Sequence, residues 1–193
     1  MAEEKNVLIM QFSDPSKAFQ ALSELKSQPG VTGAAVVERT ADGQVQVADG
    51  YSPAAGTGVA VGGLVGALVG ILAGPVGVLL GWSTGLLAGV AYDSGEAADA
   101  DDGFTVLSKR IQDGGNALIV EMTESSHAVA DDIATKLDGT VTRVPSSEME
   151  SEIASAREAQ RAAAAAARRA RREKRQAEFK GKMSGLFHHA KSA

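Results

Sequence analysis

The stretch that decides the fold is glycine-rich: GTGVAVGGLVGALVGILAG at residues 56–74, followed by PVGVLLGWSTGLLAGVAYD at residues 75–93. Glycine recurs at every fourth residue in each half, and no charged residue lies between Tyr51 and Tyr92. The two sets are Gly58, Gly62, Gly66, Gly70 and Gly74, then Gly77, Gly81, Gly85 and Gly89. Because residues four apart share one helix face, the pattern predicts two helices with glycine ridges. Gly74 and Pro75 break the run and predict a tight turn between antiparallel helices.

Glycine is a poor helix former, so its use here needs a compensating interaction. At roughly 1 kcal/mol per residue relative to alanine, the nine repeating glycines would cost on the order of 9 kcal/mol. Close contact between helix backbones offsets such a cost through dispersion and Cα–H···O contacts. We therefore predict that the nine glycines are helix-packing residues of a glycine-zipper hairpin over residues 53–92.

The other apolar side chains of the hairpin must also be buried, since a large exposed apolar patch associates with another protein surface or inserts into a membrane. Two environments fit: a bilayer, or the shared core of a soluble homo-oligomer. A membrane-spanning helix needs about 20 apolar residues; residues 54–74 meet this, and residues 76–92 only just do. The acidic residues that follow from Asp93 are atypical of a cytoplasmic flank, which normally carries lysine or arginine. The sequence leaves both environments open, with membrane insertion favoured by the length of the uncharged run.

The segments on either side of the hairpin alternate between strand and helix patterns. Strands are predicted at 6–12, 31–40, 44–50, 116–123 and 140–144, and helices at 13–30, 104–115 and 124–139. Ser13 or Asp14 is suited to cap the first helix, and a serine precedes the third. We expect an α+β protein with a ferredoxin-like antiparallel sheet and helices on one face. The hairpin would be inserted between the third strand and the helix that follows it.

The predicted organisation has five parts. They are the first half of the ferredoxin-like domain at 1–52, the hairpin at 53–92, an acidic linker at 93–102, the second half of the domain at 103–146, and a basic helical tail at 147–193. The tail lacks proline and is rich in alanine, arginine and glutamate, which predicts one long helix to about Lys180. It is too polar to bury a full face.

The net charge of −5 conceals an acidic body and a basic tail. The tail's candidate anion-binding residues are Arg168, Arg169, Arg171, Arg172, Lys174 and Arg175, and its candidate docking residues are Phe179, Met183, Leu186 and Phe187. The second set has amphipathic helical spacing with lysines around it, which fits an anionic membrane surface. A solvated helix packed on a neighbour is the simpler alternative. Nucleic acid is a weaker one, because no aromatic residue interrupts the arginines.

The sequence shows no convincing catalytic, cofactor or metal site. It has no cysteine, so disulfides and thiolate metal sites are excluded. GTGVAVG at 56–62 resembles a dinucleotide fingerprint but has no acidic residue about 20 positions on. His127 is expected at the surface, His188 and His189 diverge on a helix, and residues 93–102 lack the ligand order of a calcium loop. We therefore expect a protein that is not an enzyme and has no cofactor and no metal.

Four segments together resemble a known bacterial family. They are AAVVERTADGQVQV, GTGVAVGGLVGALVGILAGPVGVLLG, NALIVEMT and LDGTVTRVPSSEMESEI, and they cover about residues 6–153. In this order they are similar to domain-of-unknown-function family 1269, ferredoxin-like proteins with a glycine-zipper hairpin, often described as membrane proteins. The resemblance implies membrane association or self-assembly and supplies no catalytic residues. The basic tail extends beyond the family pattern.

These observations predict a non-enzymatic, self-assembling, membrane-associated homo-oligomer. Its hairpins would associate in the bilayer or in a shared apolar core, with the soluble parts on the cytoplasmic side of the cell membrane. The alternatives are a soluble cytoplasmic homo-oligomer that acts as a scaffold or particle, and a ligand-binding ferredoxin-like protein.

Overall fold

The computed structural model describes residues 3–41, 44–53, 56–57, 62–73, 111 and 114–189. The chain divides into two compact units, residues 1–156 and residues 157–193. The strands are β1 Glu4–Phe12, β2 Val31–Arg39, β3 Val45–Ser52, β4 Gly56–Thr57, β5 Asn116–Glu124 and β6 Gly139–Pro145. The helices are α1 Ser16–Leu25, α2 Gly63–Leu72, α3 Ala128–Lys136 and α4 Ser146–His189. All but the later part of α4 belong to the first unit.

The strands form one antiparallel sheet in the order β4-β3-β2-β5-β1-β6. Two split β-α-β units interleave in it: β5 lies between β1 and β2, and β1 lies between β5 and β6. The protein is therefore α+β, and this order is consistent, at a coarse level, with a ferredoxin-like arrangement.

The strand that completes the interleaved core is β5, and β3 is an addition beside β2. The expectation that the third strand along the chain is one of the interleaved strands is therefore wrong, whereas α2 does follow that strand and the inserted hairpin stays a prediction. The physical reason lies in burial: the consecutive residues Asn116–Met122 of β5 are all buried, whereas β3 mixes buried, half-buried and exposed positions. A strand that is apolar on both sides belongs in the centre of a sheet that is covered on both faces.

Helices α1 and α3 cover one side of the sheet, called here the first face. Leu8 and Met10 of β1 pack there against Leu22 of α1 and Ile133 of α3. At the start of α1, Asp14 Oδ1 accepts the N–H of Ser16 at 2.9 Å. Ser126 Oγ accepts the N–H of Ala128 at the start of α3. Both helices lie within their predicted ranges, but the residues at their N-cap positions are Pro15 and His127, so Asp14 and Ser126 each stand one residue before the cap.

The opposite side, the second face, is also covered, by α2 and by the first residues of α4. Val7 and Ile9 of β1 pack there with Leu68 of α2 and with Met149 and Ile153 of α4. The prediction of helices on one face alone is therefore wrong. Residues 63–72, expected in a bilayer or an oligomer core, bury their apolar side on the sheet of their own domain. The domain's own sheet thus removes these apolar side chains from water, as a bilayer or an oligomer core would.

The last helix, α4, has 44 residues and runs past the expected end near Lys180 to His189. The predicted helix at 104–115 and linker at 93–102 lie outside the described residues, apart from Ile111, which is fully buried, and residues 114–115.

Candidate functional site

Helix α2 presents most of its small residues on the side that faces away from the sheet. The side chains that it buries are Val65, Leu68, Val69, Ile71 and Leu72. Gly63 and Gly70 are exposed, and Gly66 is half-buried. A Cβ atom added at Gly70 would meet no atom of the described residues within 4 Å. Among the described residues, none covers the backbone of α2 at Gly70, so this part of its outer face suits close approach by another helix.

A buried carboxylate lies beside the start of α2. Glu121 Oε2 lies 3.3 Å from the position of a Cβ atom on Gly63, where φ is +67°. Glu121 Oε1 is 2.6 Å from Lys5 Nζ, and its side chain is only 5% exposed. The hydrogen bond to Glu121 is the main cause of a raised pKa of Lys5. A negative charge at a helix N-terminus is favourable, so the position of Glu121 suits the start of α2.

Three of the nine predicted zipper glycines, Gly62, Gly66 and Gly70, are described. Gly58, Gly74, Gly77, Gly81, Gly85 and Gly89 lie outside the described residues. Pairing between the two halves of the hairpin thus stays a prediction. Of the helices described, none is both long and apolar enough to cross a membrane.

The basic residues of α4 form a face on the second unit. Arg168, Arg171, Arg172 and Arg175 recur at intervals of three or four residues and therefore share one side of the helix. Arg169 and Lys174 flank this arginine face, and all six side chains are exposed. No salt bridge joins any of the six to another part of the chain that the structure describes. Their charge is uncompensated by protein groups there.

Phe179 continues the arginine face, four residues beyond Arg175, and is 65% exposed. Met183, Leu186 and Phe187 lie on the described helix backbone, but their side chains are outside the described part. The structure thus brings one predicted docking residue together with the predicted anion-binding residues.

A cleft of about 360 Å³ lies between α1 and β3 on the first face. We call it the α1–β3 cleft; its lining residues are Phe19, Leu22, Ser23, Lys26, Asp49, Gly50 and Tyr51. It exists because β3 extends the sheet beyond the strands that α1 and α3 cover. Leu22 is buried at its floor, and Phe19 and Tyr51 are half-buried.

A β-bulge determines which side chains of β3 enter this cleft. Asp49 pairs with Val36, but Val47 pairs with Val37, so Ala48 is an extra residue. Val45 and Val47 pack on the second face, whereas Tyr51 packs on the first. Strict alternation would have placed all three, with Asp49, on one face. The bulge thus turns Asp49 and Tyr51 toward α1.

Sequence reasoning missed the cleft, because a single extra residue in a strand has no reliable sequence signature. It also missed the buried Glu121, although a signal exists: this residue is the one charge inside the apolar run NALIVEMT.

His127, expected at the surface, is exposed. The described residues hold no group of three or more histidine, aspartate or glutamate side chains placed to bind a metal.

No protein-family model, curated protein or solved structure matches this chain. The resemblance to domain-of-unknown-function family 1269 thus stays a prediction.

Proposed function

We propose that this protein is a non-enzymatic, self-assembling protein that attaches to anionic membrane surfaces on the cytoplasmic side of the cell membrane. A ferredoxin-like domain with an inserted glycine-zipper hairpin forms the assembling part, and the C-terminal helix forms the attachment. The observation that carries the proposal is the arginine face of α4 with Phe179 at its end. The glycine face of α2 supports the assembling role.

Attachment requires both charge and apolar contact, and α4 supplies both on one side. Each arginine near an anionic bilayer contributes about 1 kcal/mol, and an aromatic side chain adds burial at the headgroup boundary. Phe179 is the feature that favours lipid over nucleic acid, since phosphate contacts on DNA need no exposed apolar side chain. The free arginine face also means that no described protein group competes for the anion.

Assembly is supported by the bare backbone at Gly70 and by the continuation of the four-residue glycine repeat beyond α2 in the sequence. Helices with such faces approach closely and gain dispersion contacts. The burial of the apolar side of α2 on its own sheet favours the soluble homo-oligomer as the second candidate. In that version the glycine faces pair outside a bilayer.

Vesicle co-sedimentation tests the attachment. The full-length protein should bind vesicles of phosphatidylcholine with phosphatidylserine, and bind phosphatidylcholine alone far less. Binding should fall as salt rises. Replacing Arg168, Arg171, Arg172 and Arg175 by glutamine should remove about 4 kcal/mol, or roughly a thousandfold in partitioning. Phe179→Ala should weaken binding without changing its dependence on salt.

A charge-preserving variant provides the matched control. Arg168→Ala with Ala166→Arg, and Arg172→Ala with Ala170→Arg, moves two arginines to the opposite side of α4 at constant net charge. Weaker binding than wild type supports a docking face. Equal binding by this variant, or tighter binding to duplex DNA than to anionic vesicles, would contradict the proposal. A large particle of constant size that does not bind vesicles would favour the soluble homo-oligomer.

A further inference from the structure

We propose that the α1–β3 cleft binds a free α-amino acid with an apolar side chain, its ammonium on Asp49 and its carboxylate on Lys26. This inference is independent of membrane attachment and of assembly, since it concerns a different surface of the first unit. It rests on three features of the cleft: its size, its pair of opposite charges and its apolar floor.

The size of the cleft fits a small ligand. At about 360 Å³ it lies near the lower end of the range found for ligand sites, roughly 300–1,000 Å³. Such sites combine apolar and aromatic walls with a few placed polar groups. The lining of this cleft is more polar than that average: Leu22, Phe19 and Tyr51 supply its apolar part, and the other four lining residues are polar, charged or glycine.

The charges of the cleft are opposite in sign but do not neutralise each other. Lys26 and Asp49 both line it, and neither forms a salt bridge with any residue that the structure describes. Two opposite charges that share a cleft without pairing are complementary to a ligand that carries both charges in reverse. An α-amino acid is the smallest common molecule with this property.

Asp49 is held in place for this role. Its Oδ1 accepts the N–H of Gly50 at 2.7 Å, which fixes the carboxylate at the bulge and leaves the second oxygen for a ligand ammonium. Lys26 is the first residue after α1, where its N–H still bonds to Leu22 O at 3.0 Å. Both groups therefore project from backbone that is hydrogen-bonded in the free protein, and the Asp49 carboxylate is itself already held, so little ordering of that group is required on binding.

The apolar floor selects the side chain of the ligand. Leu22 is 3% exposed and belongs to the core of the first face, against which Phe19 and Tyr51 pack. An aliphatic or aromatic ligand side chain would bury these surfaces further, at a gain proportional to the area removed from water. We expect L-leucine and L-phenylalanine to bind more tightly than glycine or L-glutamate.

Titration of the full-length protein by NMR, followed through the amides of Ser23, Lys26, Gly50 and Tyr51, tests the proposal. L-Leucine should give saturable shifts, whereas N-acetyl-L-leucine and L-leucinamide, which each lack one charge, should bind at least about tenfold more weakly. Asp49→Asn keeps an acceptor for Gly50 and should weaken L-leucine binding by the same factor, as should Lys26→Met. Asp132→Asn, an exposed aspartate on α3 outside the cleft, is the matched control and should bind like wild type.

Two outcomes would overturn the inference. One is the absence of saturable shifts with about 1 mM L-leucine and with about 1 mM L-phenylalanine. The other is equal binding of the free and the blocked amino acids, which would make the cleft a purely apolar surface. Unfolding curves of Asp49→Asn and Lys26→Met that match wild type exclude misfolding as the cause of lost binding. Neither overturning outcome bears on vesicle binding, so failure here is distinguishable from failure of the proposed function.

Discussion

Arg143 and Glu124 form a two-point ion pair across the sheet. Arg143 Nε and Nη2 donate to the two carboxylate oxygens of Glu124 at 3.0 and 3.1 Å, and the Glu124 side chain is fully buried. Nη1 of the same guanidinium lies 2.9 Å from Asp131 Oδ1 on α3. Asn6 donates a further hydrogen bond to Glu124. Burial alone would lower the pKa of Arg143, but hydrogen bonds to Glu124 and Asp131 raise it. The cluster joins α3 to three strands.

Replacing Arg143 by methionine should destabilise the domain strongly. Among the described residues, the change leaves the buried carboxylate of Glu124 with Asn6 as its one side-chain partner, and losing one member of a buried pair costs about 3–5 kcal/mol. Lys136→Met is the matched control, because the Lys136–Glu24 pair is exposed and such pairs contribute about 0–1 kcal/mol. Urea denaturation measures both. A midpoint for Arg143→Met close to that of Lys136→Met would show that water replaces the lost cation.

The stability of the domain should fall at acid pH, in part through two ion pairs that attach α1 to α3 and to the turn after it. Lys17 Nζ lies 2.8 Å from Asp138 Oδ2, and Lys136 Nζ lies 3.0 Å from Glu24 Oε1. Hydrogen bonds from these lysines lower the pKa of Asp138 and of Glu24 below their ordinary values of 3.8 and 4.5. A lowered folded-state pKa stabilises the fold above the ordinary value, and this contribution is lost as the pH falls through the folded-state pKa.

Free energies of unfolding between about pH 6 and pH 3 check this expectation. The double variant Lys17→Met with Lys136→Met should lose less stability over this interval than wild type. Without the two lysines, the pKa values of Asp138 and Glu24 should differ less between the folded and the unfolded state. Asp14 serves as an internal control: its pKa is lowered chiefly by hydrogen bonds from Ser16, which the variant keeps. Parallel pH profiles for variant and wild type would mean that the two ion pairs contribute nothing to acid stability.

Much of the fold follows from local patterns, and the parts that do not have identifiable causes. Strands β1, β2, β5 and β6 and helices α1 and α3 appear where apolar periodicity and caps predict them. The central position of β5 depends on burial of both its faces. The apolar run in 116–123 indicates this burial, but the prediction assigned strands to the sheet by their order along the chain. The cleft depends on the extra residue Ala48, since alternation alone places Asp49 with Val47. A bulge is a property of the pairing of two strands, so one strand's sequence does not specify it.

Gly30 and Gly114 should respond differently to alanine although both have positive φ. Their φ values are +88° and +77°, so each substitution brings the left-handed strain of about 1–2 kcal/mol. At Gly30 the new Cβ would also collide with the carbonyl oxygen of Thr123, whereas at Gly114 no atom of the described residues lies within 4 Å. Gly30→Ala should therefore cost clearly more than Gly114→Ala in chemical denaturation. Equal costs would show that the β5 backbone shifts freely to admit the methyl group.

Gly70→Leu should abolish assembly without destabilising the domain. The position is exposed, a Cβ there meets no atom of the part of the chain that the structure describes, and leucine is a better helix former than glycine by up to about 1 kcal/mol. A bulky side chain on the outer face of α2 would keep another helix from backbone contact. Light scattering should report a smaller particle for Gly70→Leu, and for Gly70→Ala a particle like that of wild type. Unchanged size for the leucine variant would remove α2 from the assembling surface.

Leu68 tests whether α2 is a layer of the domain in solution. Its side chain is fully buried with Ile119 of β5 and Ile9 of β1, so Leu68→Ala should cost about 2–5 kcal/mol through lost burial and a cavity. Because α2 and the sheet share one core cluster, this loss should lower the single unfolding midpoint, as Ile119→Ala would on the same face. In a protein whose α2 leaves the sheet for a bilayer, Leu68→Ala would leave the unfolding of the sheet unchanged once vesicles are added. Measuring both variants with and without anionic vesicles separates the two cases. Equal destabilisation under both conditions would show that α2 stays on the sheet. If vesicles restore the stability of Leu68→Ala but not of Ile119→Ala, α2 lies in the membrane.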